Sequence, residues 1–123
     1  CLDFDWQMVR KSYCHGDLTF ENILVSNEQI YFIDFLDSFV DTKMLDYSKI
    51  MQETIGFWSN REIPKNFNIK YMLLNEMLDL NEFEKQASMK LLTLNLLRII
   101  PYSDKRTINF IEELLNNTSG RIK

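Results

Sequence analysis

The sequence predicts an α+β fold, mainly α, with one small β-hairpin in its first half. Three observations carry that prediction. Two short runs rich in β-formers, Asn22 to Val25 and Gln29 to Asp34, flank the polar stretch Ser26-Asn27-Glu28, which is the pattern of a hairpin. From residue 42 onward, apolar residues recur at helical spacing. The chain has 123 residues with no internal repeat and no linker, so residues 1–123 are expected to form a single domain.

The elements follow in order. Tyr13 to His15 reads as a further short extended segment. Met44, Tyr47, Met51 and Ile55 make one helical face, preceded by Asp41 and Thr42 as N-cap residues and closed by Gly56. Residues 57–66 read as a loop punctuated by Asn60 and Pro64. Three helices are then expected, over about 67–78, 81–100 and 104–117. The second is apolar nearly all round from Leu91 to Ile100, which places it centrally, and Pro101 ends it. The third carries Ile108, Ile111, Leu114 and Leu115 on one face, and Asn116 to Lys123 is expected to fray. The methionines at 8, 44, 51, 72, 77 and 89 read as packing residues.

Composition excludes several classes. Hydrophobic residues make up 46% and charged residues 26%, with a net charge of -4 and no basic block. Nucleic acid is therefore not an expected partner, because backbone binding needs clustered Lys and Arg. No run approaches the ~18 apolar residues of a membrane span, and no signal segment opens the chain. The expected location is cytoplasmic, with no membrane partner. Cys1 and Cys14 form no CxxC, and Cys14 reads as a small buried residue.

The informative stretch is His15 to Asn22, H-G-D-L-T-F-E-N, with Ile33-Asp34-Phe35 at the far end of the hairpin. Paired strands run side by side, so the hairpin returns Asp34 towards the loop holding Asp17 and Asn22. Two carboxylates and an amide oxygen then converge. Hard oxygen ligands of this kind suit Mg²⁺, which keeps waters and phosphate oxygens among its ligands. His15 is the sole histidine, so a histidine metal cluster is excluded.

The spacing H-x-D-x-x-x-x-N, followed by an Asp at a strand end, is that of a kinase catalytic loop and metal strand. With Gly after His, Thr at position 19 and Ile-Asp-Phe at the metal strand, the segment resembles the aminoglycoside phosphotransferase and choline kinase family of small-molecule kinases. The motif match covers residues 13–50. The resemblance implies a protein-kinase-like C-terminal lobe whose hairpin carries the metal site. It implies Asp17 as the catalytic residue that accepts or orients the proton of the acceptor hydroxyl. Asn22 and Asp34 would hold Mg²⁺ across the phosphates of ATP or GTP. His15 and Asp46 would be structural supports, Asp46 anchoring the catalytic loop backbone from the following helix. Leu36 to Asp41 lacks the family's Gly and its Gly-Asp-Pro-like turn. Asp37 and Asp41 in that stretch read as acceptor-pocket residues or as solvated caps. Trp6 and Phe57-Trp58 read as stacking platforms for an acceptor or as core.

The implied function is Mg-dependent transfer of the γ-phosphate of ATP or GTP to a hydroxyl of an aminoglycoside, choline, ethanolamine or sugar. No G-x-G-x-x-G is present, and fourteen residues precede His15. A nucleotide lobe is therefore expected from the same or another chain, with Cys1 to Lys123 a fragment that is inactive alone. Two other classes stay open: a catalytically inactive kinase-like binding module, and a helical interaction domain in which the motif is coincidental.

Overall fold

Asn27 and Glu28 both adopt positive φ, the signature of a type I′ turn, whose twist matches that of the strands it joins. A computed structural model describes residues 4–60 and 76–119, and in it this turn joins β1 (Ile23–Ser26) to β2 (Gln29–Phe32) as an antiparallel pair. The register runs from Ile23 opposite Phe32 to Ser26 opposite Gln29. Ser26 thus belongs to the strand, and the turn proper has two residues. Leu24, Val25, Ile30, Tyr31 and Phe32 are all exposed, so the ribbon keeps apolar side chains in solvent. Tyr13 to His15 is no strand. Ser12 N–H donates to Asp41 O and Leu36 N–H to His15 O, which ties this segment to the chain leaving the hairpin.

Three α-helices follow among the described residues. Helix α1 (Lys43–Thr54) is capped by Thr42, whose hydroxyl accepts from Met44 N–H; Asp41 stays outside, exposed. The helix ends before Gly56, but the left-handed residue is Phe57. Gly56 is small for another reason: a Cβ there would meet Gln52 O at 2.5 Å and Leu114 Cδ2 at 2.8 Å. Helix α2 (Glu82–Ile99) opens on a capping box in which Asn81 and Glu84 satisfy each other's backbone N–H. A short 3₁₀ turn, Ile100–Tyr102, absorbs Pro101. Helix α3 (Lys105–Ser119) runs past the expected start of fraying. Thr118 is the reason: buried, it donates its hydroxyl to Leu114 O and Leu115 O and so occupies carbonyls that a helix end would leave open. Most of the helix expected over 67–78, most of the 57–66 loop and Met72 lie outside the described residues.

The core forms where α1 and α3 meet α2. Met51, Met89, Leu92, Leu96, Ile111 and Leu114 make one buried cluster, against which Trp58 packs. Met44, Leu45, Ala87 and Leu91 make a second, with Cys14 packed at its edge. The near-continuous apolar run of α2 is what lets it serve both. Trp58 also meets Phe110 edge to face, and Trp6 meets Phe4. Two methionines depart from the packing expectation: Met8 is 61% and Met77 77% exposed. Among the described residues, no helix is long and apolar enough to cross a membrane.

Candidate functional site

Asp46 lies one turn into α1, where its carboxylate faces the loop that precedes the hairpin. Its Oδ2 accepts His15 N–H at 2.7 Å and its Oδ1 accepts Gly16 N–H at 3.0 Å. Two backbone donors on one carboxylate fix the entry to the loop, since each is a charge-assisted bond. Gly16 then takes φ +87, and a Cβ there would lie 2.1 Å from the carbonyl oxygen of Leu36. The glycine between His15 and Asp17 is thus demanded by backbone passing over backbone.

His15 is buried, and its ring closes the other side. Nε2 lies 2.7 Å from Ile33 O, and Phe35 packs on the ring with centroids 4.3 Å apart. Ile33 N–H donates to Asn22 O. The residue just before Asp34 is therefore bonded to both ends of the loop. Asp34 itself has φ +57 and is exposed. This left-handed backbone is one that Asp tolerates better than most residues.

Asp17 and Asn22 are in direct contact. Asn22 Nδ2 donates to Asp17 O at 2.8 Å and to Asp17 Oδ2 at 3.3 Å. A 3₁₀ turn, Phe20–Asn22, brings the amide back to Asp17, and Thr19 O accepts from Asn22 N–H. With its nitrogen committed to Asp17, the amide presents its oxygen elsewhere. The side-chain oxygens brought together here are those of Asp17 and Asn22. The structure joins Asp17 and Asn22 side chain to side chain. Asp34 follows Ile33, whose backbone is bonded to Asn22 and His15; no contact joins the Asp34 side chain to Asp17 or Asn22 among the described residues.

Two further residues of α1 meet this loop and were not evident from the sequence. Lys49 Nζ lies 2.9 Å from Asp17 Oδ1, with its side chain 14% exposed against 29% for Asp17. Glu53 is 1% exposed. Its carboxylate accepts Ser59 N–H at 2.9 Å, Ser59 O–H at 2.7 Å and, at 3.4 Å, Phe20 N–H. Asp46, Lys49 and Glu53 stand at i, i+3 and i+7, on one helical face, and together they contact the loop from His15 to Phe20. The available signal was that spacing of charges, D-x-x-K-x-x-x-E.

A cleft of about 470 Å³ opens beside the site, lined by Lys11, Ser12, Tyr13, Cys14, Leu36, Asp37, Ser38 and Asp41. Asp37 and Asp41 therefore share one concavity. Ser38 O–H donates to Val40 O, and Cys14 Sγ lies 3.6 Å from Ser38 Oγ.

No protein-family model matches the chain, and comparison with curated proteins and with solved structures finds no similar protein.

Proposed function

We propose that this chain is the catalytic-loop lobe of a small-molecule kinase of the aminoglycoside phosphotransferase and choline kinase type. The reaction is Mg-dependent transfer of the γ-phosphate of ATP or GTP to an acceptor hydroxyl. One observation carries the reading: Asn22 binds Asp17 through its amide nitrogen, while the residue before Asp34 is bonded to Asn22 and to His15. Residues five to eighteen positions apart in sequence thus belong to one hydrogen-bonded unit.

In this reading Asp17 accepts the proton of the acceptor hydroxyl as its oxygen bonds to the γ-phosphorus and the bond to the β-phosphate breaks. Phosphoryl transfer has a loose transition state, so holding the hydroxyl in line matters more than base strength. Asn22 Oδ1 and the Asp34 carboxylate are the groups that would hold Mg²⁺. The ion would neutralise charge on the phosphate oxygens. His15 and Asp46 hold the loop. The cleft with Asp37 and Asp41 suits a cationic acceptor, whether aminoglycoside, choline-like or ethanolamine-like, with a sugar the uncharged alternative. A Gly-rich nucleotide lobe, from the same or another chain, completes the site, and the exposed apolar hairpin offers it a surface. A cytoplasmic setting supplies the nucleotide.

A second reading, a kinase-like module that binds without turnover, draws on Lys49, which already occupies one oxygen of Asp17. The test uses the full native protein with Mg·ATP and Mg·GTP against a panel of amino-sugar, choline, ethanolamine and sugar acceptors. Asp17→Asn is expected to lower turnover by on the order of 10²–10⁴-fold. Wild-type turnover in Asp17→Asn overturns the catalytic assignment. Tight Mg·nucleotide binding with no transfer to any acceptor favours the binding module.

A further inference from the structure

Lys49 is an unusual lysine for an α-helix of this chain. It stands three residues after Asp46 and four before Glu53 on the face of α1 that the loop covers. A lysine normally keeps its ammonium in water and gives up side-chain freedom when it is held. Here the side chain is 14% exposed, and Nζ lies 2.9 Å from Asp17 Oδ1. The other carboxylate oxygen, Oδ2, receives Asn22 Nδ2 at 3.3 Å. The carboxylate is therefore held from two sides, by groups on two different elements. Rotation about its Cβ–Cγ bond would break both contacts. Each carboxylate oxygen can still accept a second hydrogen bond, so neither contact blocks an incoming hydroxyl.

We propose that Lys49 is the positioning residue for Asp17: it fixes the plane of the carboxylate, and so the direction from which a hydroxyl must approach. The contact reaches the loop from α1, which Asp46 has already locked to the loop backbone at His15 and Gly16. Lys49 thus refers the aspartate side chain to the same rigid helix. This inference rests on the phosphotransfer reading.

The test uses the full native protein, with Mg·ATP as the probe and water in place of the acceptor hydroxyl. Lys49→Met, Lys49→Arg, Asp17→Asn and the Asp17→Asn/Lys49→Met double variant are compared. Misplacing the carboxylate is expected to lower kcat for Lys49→Met by about 10- to 100-fold, with KM for Mg·ATP changed by less than about 2-fold because ground-state binding is untouched. Lys49→Arg should recover most of kcat. In the Asp17→Asn background, Lys49→Met should add no further loss, since the group it positions is already gone. Without any nucleotide, the Asp17 carboxyl ¹³C resonance should move in Lys49→Met and return towards wild type in Lys49→Arg. Wild-type kcat in Lys49→Met, or a loss that multiplies onto that of Asp17→Asn, overturns the proposal and leaves the phosphotransfer reading standing. Wild-type turnover in Asp17→Asn overturns that reading instead. If Lys49→Met does not fold, Lys49→Gln takes its place, with the same outcomes deciding.

Discussion

Gly16 and Leu36 pass so closely that any side chain at Gly16 would collide with the Leu36 carbonyl. A Cβ would sit 2.1 Å from that oxygen, and the Gly16 φ of +87 is one that L-residues rarely adopt. The contact is part of the frame, because Leu36 N–H donates to His15 O next door. Clash and backbone strain therefore fall on the same residue. Gly16→Ala should destabilise the fold by about 2–4 kcal/mol, as overpacking and a forced left-handed backbone add. Urea unfolding of the variant against wild type measures it. A loss under about 0.5 kcal/mol, the range of an ordinary surface change, would show that the two segments separate at little cost.

Glu28 is the opposite case, a position where the residue present is not the best one. It takes φ +62 in the hairpin turn, beside Asn27 at φ +50. Asn-Gly is the preferred pair for this turn, and a non-glycine in the left-handed region costs roughly 1–2 kcal/mol. Glu28→Gly should therefore raise stability, by about 0.5–1 kcal/mol once the greater freedom of glycine in the unfolded chain is set against the relief. A higher urea midpoint with an unchanged slope is the expected result.

These two residues also show where the sequence can and cannot be read. Asn27-Glu28 lies between two short runs rich in β-formers, so the hairpin was legible, with a turn read one residue too long, and with it the coarse α+β, mainly α class. The helical stripes of α1 and α3 were legible because burial of one face leaves a period in the sequence, and α2 because its apolar run from Leu91 to Ile100 goes nearly all round. Lys49 and Glu53 left no such mark. A charged residue on an amphipathic helix reads as solvent-facing. The loop that holds Asp17 meets Lys49, and Glu53 is met by Ser59 and by Phe20; the contacts across about thirty residues leave no local trace beyond the charge spacing D-x-x-K-x-x-x-E. The left-handed backbone of Asp34 was hidden for a related reason, since Ile33 and Leu36 on either side are bonded to Asn22 and His15. At Met8 and Met77 the error ran the other way: apolar character was taken as burial, a rule that holds in one direction only.

Acid should act on the start of α2. Glu84 Oε1 lies 3.0 Å from Lys43 Nζ, and Glu84 Oε2 accepts Asn81 N–H at 3.2 Å. The hydrogen bond from Lys43, then that from the Asn81 backbone, holds the carboxyl below its ordinary value of 4.5. A carboxyl lowered in the folded state adds stability that is complete above the unfolded value and is lost as pH falls through the folded one. The hydrogen bond to Glu84, with its charge, raises Lys43 above 10.5. Its contribution is therefore complete below 10.5 and lost as pH rises beyond the raised value. The Lys43 side chain is half exposed, so solvent screens the pair and the slopes are shallow. Urea midpoints measured from pH 7 down to pH 3 should fall less steeply in Glu84→Gln than in wild type. Asn81→Ala, which removes the cap itself, should cost about 1 kcal/mol at neutral pH.

Asp34 allows the backbone and the carboxylate to be tested apart. Its φ of +57 favours glycine, while its exposed side chain has no role in the core. Asp34→Gly should thus preserve the fold or stabilise it slightly, as relief of left-handed strain offsets the entropy cost of glycine. Asp34→Ala keeps the strain and loses the side chain, so it should be the less stable of the two, by up to about 1 kcal/mol. The proposed chemistry predicts no such difference. Both variants lack the carboxylate that would hold Mg²⁺, and both should lose transfer in the full native protein by on the order of 10³-fold, the scale of a lost electrostatic contact to a transferring phosphoryl group. Stability and turnover would then rank the variants differently, which a purely structural aspartate cannot produce. If turnover instead follows stability, with Asp34→Gly as active as wild type, Asp34 serves only the turn, and the metal assignment at the end of β2 fails.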